Sequence, residues 1–114
     1  MQQLVFVYGT LRRGQRYHYL LRSSLFYGLH RTEPQYTMLD LGGFPGVISN
    51  GKQAMTGEIY GITARVLRQL DRLEDYPDQY ERKLITTARG PAWIYLYQHA
   101  RGDEPIVTNG DWLR

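Results

Sequence analysis

The chain has 114 residues and no cysteine, and its 14 lysines and arginines against 11 aspartates and glutamates give a formal charge of +3. That length suits one domain, residues 1–114, closing a single core without staples, and the missing cysteines exclude thiol nucleophiles, cysteine-ligated zinc and thiol redox chemistry. No apolar run approaches a membrane span and the start lacks the marks of a secretory signal, so a cytoplasmic protein with no membrane association is expected.

Gln3 to Tyr8 reads as a strand, and its almost unbroken apolar character predicts a central strand buried on both faces. It runs into Gly9-Thr10-Leu11-Arg12-Arg13-Gly14, a tight glycine-containing loop followed by arginines. A buried strand thus delivers a backbone loop to one end of the fold. Arg12, Arg13 and Arg16 are candidates for holding an anion, although arginines just after a strand more commonly form a solvated edge. Arg16 to Arg22 is a short helical candidate carrying Leu20 and Leu21. Leu25 to Arg31 and Gln35 to Leu41 then read as two strands joined around Glu33-Pro34.

A second loop, Leu41-Gly42-Gly43-Phe44-Pro45-Gly46-Val47, places three glycines and a proline around one phenylalanine, which lets backbone approach a ligand or merely turns the chain. Asn50-Gly51 is a turn signal, and Gln53 to Ile62 is the next strand. Within it Thr56, Glu58 and Tyr60 share one face, and Glu58 is expected to be a solvated strand residue or to look into a pocket.

Thr63 can cap a helix running to about Asp75, before Pro77. At about 100° per residue, Val66, Leu67, Leu70 and Leu73 fall on one face, opposite Arg65, Arg68, Gln69 and Arg72. Glu74 projects between Leu67 and Leu70 on the leucine face, with Asp71 at its boundary and Asp75 on the polar side. Partial burial and the negative end of the helix both disfavour its charge and raise its pKa, as suits a general base near neutral pH. The competing readings leave it in water on a frayed end or paired with an arginine. Tyr80 to Ala88 and Ala92 to Gln98 are further strands joined at Arg89-Gly90-Pro91. Ile94 and Leu96 face one way; Trp93, Tyr95 and Tyr97 face the other. Trp112 is expected to pin the terminus.

Other chemistries find little support. His18, His30 and His99 fit no metal spacing, no serine lies in a nucleophile elbow, and the glycines form neither a dinucleotide fingerprint nor a P-loop. No dense basic face with interleaved aromatics favours nucleic acid.

Three stretches together resemble one family. Val5-Phe6-Val7-Tyr8-Gly9-Thr10-Leu11-Arg12-Arg13-Gly14, Gly57-Glu58-Ile59-Tyr60 and Leu70-Asp71-Arg72-Leu73-Glu74-Asp75-Tyr76-Pro77, continuing through Tyr80 and Arg82, resemble in order the opening strand, central strand and catalytic helix of the gamma-glutamylcyclotransferase-like superfamily. The similarity is greatest to its gamma-glutamylamine cyclotransferase branch and small bacterial-type members. It implies a mixed α/β (α+β) fold with a small, partly closed β-barrel flanked by short helices, and an enzyme that cyclises a gamma-glutamyl amide to 5-oxoproline with release of an amine. It further implies Glu74 as the acid/base and a substrate pocket formed by Tyr8, Gly9, Thr10 and Leu11, bordered by Pro45 and Gly46 and lined by Tyr80. No metal or cofactor is called for, and the partner is a small gamma-glutamyl molecule. Two alternatives of other classes are a non-catalytic module that keeps the pocket for a small metabolite, and a basic interaction protein.

Overall fold

The computed structural model of the chain describes residues 2–114. β1 (Gln3–Val7) is the middle strand of a five-stranded sheet of order β2-β5-β1-β7-β6, formed with β2 (Leu25–Arg31), β5 (Thr56–Ile62), β6 (Tyr80–Thr87) and β7 (Gly90–Tyr97). β1 runs antiparallel to β5, with Val5 opposite Tyr60 and Val7 opposite Glu58, and parallel to β7, with Val5 opposite Trp93. β3 (Tyr36–Asp40) and β4 (Pro45–Gln53) form a separate two-stranded sheet.

The alternation within β1 explains the layering. Val5 and Val7 join Tyr60, Ile62 and Tyr95 in one core cluster, covered by α1 (Ala64–Leu73) through Leu67 and Leu70 and by a 3-10 turn (His18–Leu21) through Leu21. Phe6 and Tyr8 point to the opposite face, where Ile59, Ile94 and Leu96 meet Tyr36, Met38 and Val47 of the β3–β4 hairpin. The central sheet is therefore covered on both sides, as its apolar central strand requires. Leu70 is fully buried, so Leu70→Ala would cost about 2–5 kcal/mol and loosen the helix that carries Glu74. Among the described residues, no helix is long and apolar enough to cross a membrane.

Several expectations are corrected. The ladders do not close into a barrel: the five-stranded sheet and the hairpin stay separate, and the far end of the chain meets β3 only through a lone bridge between Leu39 and Ile106. β2 and β3 are the two strands expected on either side of Glu33-Pro34, but they do not form a hairpin. Instead Glu33-Pro34 lies where the chain passes from one sheet to the other, anchored by the Thr32 hydroxyl, which accepts from the Met55 amide at 2.9 Å. Asn50-Gly51 does not end a strand either. β4 continues past it, because pairing jumps from Ile48 opposite Thr37 to Gln53 opposite Tyr36 and residues 49–52 bulge outward. The strand expected over Gln53–Ile62 is divided at Ala54-Met55, with Gln53 closing β4 and Thr56 opening β5. Trp112 packs at the edge of the second cluster, as expected.

Candidate active site

Beyond Val7 the chain turns sharply, and the hydrogen bonding of the turn is one-sided. The Gly9 carbonyl accepts from the Arg12 amide at 3.0 Å, the Thr10 carbonyl from the Tyr17 amide at 2.9 Å and the Leu11 carbonyl from His18 Nδ1 at 2.9 Å. Among the described residues, the amides of Gly9, Thr10 and Leu11 donate to no protein group. Three successive donors left without a protein acceptor form a place where an anion or a carbonyl oxygen is favoured.

The loop is held from behind by a buried ionic cluster. Arg12 Nε donates to Glu58 Oε2 at 3.1 Å and Arg12 Nη1 to Asp111 Oδ1 at 2.9 Å. The other oxygen of Glu58 accepts from the Arg13 amide and the Tyr60 hydroxyl, both at 2.9 Å. Arg12 and Glu58 are each only 5% exposed, which corrects both the solvated edge expected of Arg12 and the solvated strand position expected of Glu58. Glu58 is not a cavity-lining residue. A charge this deep persists only because each group is paired and its remaining bonding capacity is used. Arg13 lies instead with its guanidinium 4.5 Å from the Phe26 ring centroid.

Glu74 reaches the site by a different route. The Thr63 side chain caps α1 by accepting from the Val66 amide at 3.2 Å, and the helix ends one turn before Pro77 in a Schellman arrangement. The Tyr76 amide donates to the Asp71 carbonyl at 2.9 Å, the Asp75 amide to the Arg72 carbonyl at 3.2 Å, and Asp75 adopts φ 52°. Glu74 is the C-cap and keeps right-handed helical geometry at φ −83°, so it retains the phase of the leucine face. The helix is shorter than expected, yet the carboxylate does not fray into water. Nor is it paired with arginine. Arg82 is taken by Asp71, with Nε to Oδ1 at 2.8 Å and Nη2 to Oδ2 at 3.1 Å, and Asp71 Oδ1 also accepts from the Tyr95 hydroxyl at 2.7 Å. Arg82 lies against the rings of Tyr76 and Trp93, and this cluster ties α1 to β6 and β7.

The two routes meet in a cavity of about 250 Å³, a size that suits a small metabolite. Its walls include Tyr8, Gly9, Thr10, Leu11, Pro45, Glu74 and Tyr80, so seven of the eight residues named from the sequence are brought together. Gly46 is the exception: a Cβ there would lie 2.6 Å from Leu41 Cδ1 and 3.0 Å from Tyr97 Cβ, so this glycine faces the hairpin's packing on β7. Tyr95 and Tyr17 also line the cavity, as does Arg16. Sequence reasoning does not assign Tyr17 or Arg16 to the pocket, and it reads the row of Trp93, Tyr95 and Tyr97 as sheet packing ahead of a pocket wall. Tyr95 was legible only as one member of an aromatic row, and Arg16 as one arginine among several.

Burial raises the Glu74 pKa to about 7, with no cation or hydrogen-bond donor to reverse it. Burial likewise raises the pKa values of Tyr8 and Tyr80, reinforced by the neighbouring Glu74 carboxylate, so both remain neutral phenols. The Tyr8 hydroxyl donates to the Tyr95 carbonyl at 2.6 Å and the Tyr80 hydroxyl to the Pro45 carbonyl at 3.0 Å. Among the described residues the Glu74 carboxyl receives no hydrogen bond, leaving a titratable group whose bonding capacity is open to whatever enters the cavity.

Comparison with known proteins places this arrangement in a family. The chain is 46% identical over its full length, and over 98% of the relative, to a Vibrio cholerae protein provisionally named a gamma-glutamylcyclotransferase. The solution NMR structure of ytfP from Escherichia coli superposes with a TM-score of 0.80 at 33% identity, covering 97% of this chain and 96% of the other. The crystal structure of an AIG2-like protein from Mus musculus gives a TM-score of 0.72 at 28% identity, over 87% of this chain and 78% of that one. The sequence pattern described as "Gamma-glutamyl cyclotransferase, AIG2-like" matches residues 5–114, and with it the loop and the glutamate that enclose the cavity: the chain belongs to that family.

Proposed function

We propose that the protein converts a small gamma-glutamyl amide to 5-oxoproline and a free amine, with Glu74 as the acid/base. The observation that carries this reading is the pairing, across one cavity, of an unpartnered carboxyl with a pKa near 7 and three unpartnered amides.

The substrate brings its own nucleophile. Folding a gamma-glutamyl group so that its α-nitrogen meets the γ-carbonyl makes the attack intramolecular, and a snug cavity supplies the alignment. Ionised Glu74 takes a proton from the α-ammonium, and the freed amine attacks the γ-carbon, forming the ring C–N bond. The carbonyl oxygen gathers negative charge as the tetrahedral species forms and accepts from the amides of Gly9 to Leu11. As the species collapses the original amide C–N bond breaks, and Glu74 returns the proton to the departing nitrogen. In all, two protons leave the attacking nitrogen and two reach the amine, which departs as its ammonium; no water is consumed. Tyr8 and Tyr80 have committed their hydroxyl protons to the Tyr95 and Pro45 carbonyls. They therefore offer lone pairs to the cavity, which suits an incoming ammonium. The leaving group is an amine, in keeping with the gamma-glutamylamine branch.

The test is 5-oxoproline release from a panel of gamma-glutamyl amides. Wild type is expected to turn over at least one, and Glu74→Gln to lose at least about 100-fold in kcat, within the usual range for removing a general acid/base. Equal turnover by Glu74→Gln would refute the mechanism. Binding by both proteins with no turnover by either would make the cavity a ligand-binding module.

A further inference from the structure

A second cavity, of about 400 Å³, shares no lining residue with the first. Its floor is apolar for reasons of register: Lys83 stands opposite Ile94 and Glu81 opposite Leu96 in the β6–β7 ladder, so Ile85, Ile94 and Leu96 alternate onto one face with Lys83 beside them. Another wall comes from the link between β2 and β3, which supplies Glu33. Lys83 and Glu33 are both exposed, and among the described residues neither makes an ion pair. Two opposite charges thus border one cavity without meeting. Tyr36 adds a third polar group, for it is only 8% exposed and its hydroxyl makes no hydrogen bond to another described residue. No buried side-chain oxygen among the described residues is sealed away without a partner, so this hydroxyl keeps an open side in the cavity that Tyr36 lines. Burial raises its pKa and keeps it a neutral donor.

We propose that this second cavity binds a small zwitterion with an aliphatic body, an α-amino acid such as leucine, whose carboxylate meets Lys83 and the Tyr36 hydroxyl, whose ammonium meets Glu33, and whose side chain covers Ile85, Ile94 and Leu96. The site is independent of the cyclisation chemistry. Its chemistry excludes simpler ligands one by one. An anion alone would bring like charge beside Glu33, and a cation alone would do the same beside Lys83. A wholly apolar ligand would strip water from both charges and the hydroxyl with nothing in exchange. A molecule carrying both charges and an apolar part answers all three features, and the cavity volume lies within the range of small-molecule sites. Because Lys83 and Glu33 are exposed, each ion pair contributes modestly, about five- to tenfold in affinity.

The test is an NMR titration of the backbone amides with leucine and with three molecules that each lack one of its features. These are 4-methylpentanoate without the ammonium, 3-methylbutylamine without the carboxylate, and glycine without the side chain. Leucine should give saturable shifts at Glu33, Tyr36, Ser49 and Lys83 to Thr86, with a Kd of about 1 mM or tighter. Each of the other three should bind at least about fivefold more weakly. Lys83→Gln should abolish the advantage of leucine over 3-methylbutylamine, and Glu33→Gln its advantage over 4-methylpentanoate. Both side chains are exposed, so neither change threatens the fold. Absence of saturable shifts around this cavity, equal binding of leucine and 4-methylpentanoate, or undiminished leucine binding by Lys83→Gln would each overturn the proposal. Shifts confined to Gly9 to Leu11 and Glu74 would overturn it too, by placing leucine in the first cavity.

Discussion

Gly9 and Pro45 are pressed together so closely that a Cβ on Gly9 would lie 2.5 Å from Pro45 Cγ and 2.8 Å from its Cδ. One glycine thereby lets the turn after β1 dock on the first residue of β4, joining two cavity walls that are far apart in sequence. The ring of Pro45 is stiff and its carbonyl is held by Tyr80 at 3.0 Å, so it cannot yield easily. Gly9→Ala is therefore expected to cost about 1–3 kcal/mol of stability, the usual range for overpacking. Displacement of the turn amides should also lower activity at least tenfold. Chemical denaturation alongside a 5-oxoproline assay checks both; an unchanged midpoint would mean that the contact is loose.

The pKa of Glu74, raised from 4.5 to about 7, makes opposite predictions for activity and stability. A general base must be ionised, so kcat/KM should fall as pH drops below about 7, with the limb absent from any residual activity of Glu74→Gln. For stability, the folded state holds this proton more tightly than the unfolded chain. The contribution is complete below about pH 4.5 and is lost as pH rises through about 7. Glu74→Gln, which mimics the protonated form, should then match wild type near pH 4 and exceed it at pH 8 by up to about 3 kcal/mol. Melting curves at the two pH values decide this, and a variant no more stable at pH 8 would show that the carboxylate is well solvated.

Arg12, Glu58 and Asp111 form an unequal set. Glu58→Ala removes the main partner of a buried guanidinium and leaves the Arg13 amide and Tyr60 hydroxyl unanswered, so a loss of about 3–5 kcal/mol is expected. Asp111→Asn keeps a hydrogen-bond acceptor and should cost about 1 kcal/mol. Urea titrations of the two variants should reproduce that order. The reverse order would shift the anchoring of the turn from β5 to the C-terminal segment.

Asp75 combines two unfavourable features, a left-handed backbone at φ 52° without being glycine, and a negative charge just beyond the C-terminus of α1. Asn tolerates that conformation and removes the charge. Asp75→Asn should therefore stabilise by about 0.5–1 kcal/mol without moving Glu74. A rise in Tm of a few degrees with unchanged kcat is the expected result, whereas a fall in Tm would reveal a hidden role for the carboxylate.

Local pattern alone determined the parts of this protein whose physics is local. Period 3.6 fixed the face of α1 and put Glu74 among its leucines, Thr63 marked the cap, and the apolar run of β1 marked a strand covered on both sides. Tertiary structure decided what each exposed-looking group would meet. Alternation told which way Glu58 points, but only the approach of Arg12 and Asp111 from distant segments made that place a buried ionic cluster. The second loop reads in sequence as one flexible run of glycine and proline, yet Gly46 packs against Tyr97 while its neighbour Pro45 meets Gly9. Arg12, Arg13 and Arg16 look alike in sequence, yet Arg12 is buried against Glu58 and Asp111, whereas among the described residues Arg13 and Arg16 make no ion pair and lie near the rings of Phe26 and Tyr17. Closure of the sheet was likewise undecidable locally, since strand pattern records burial and period but not which edges pair.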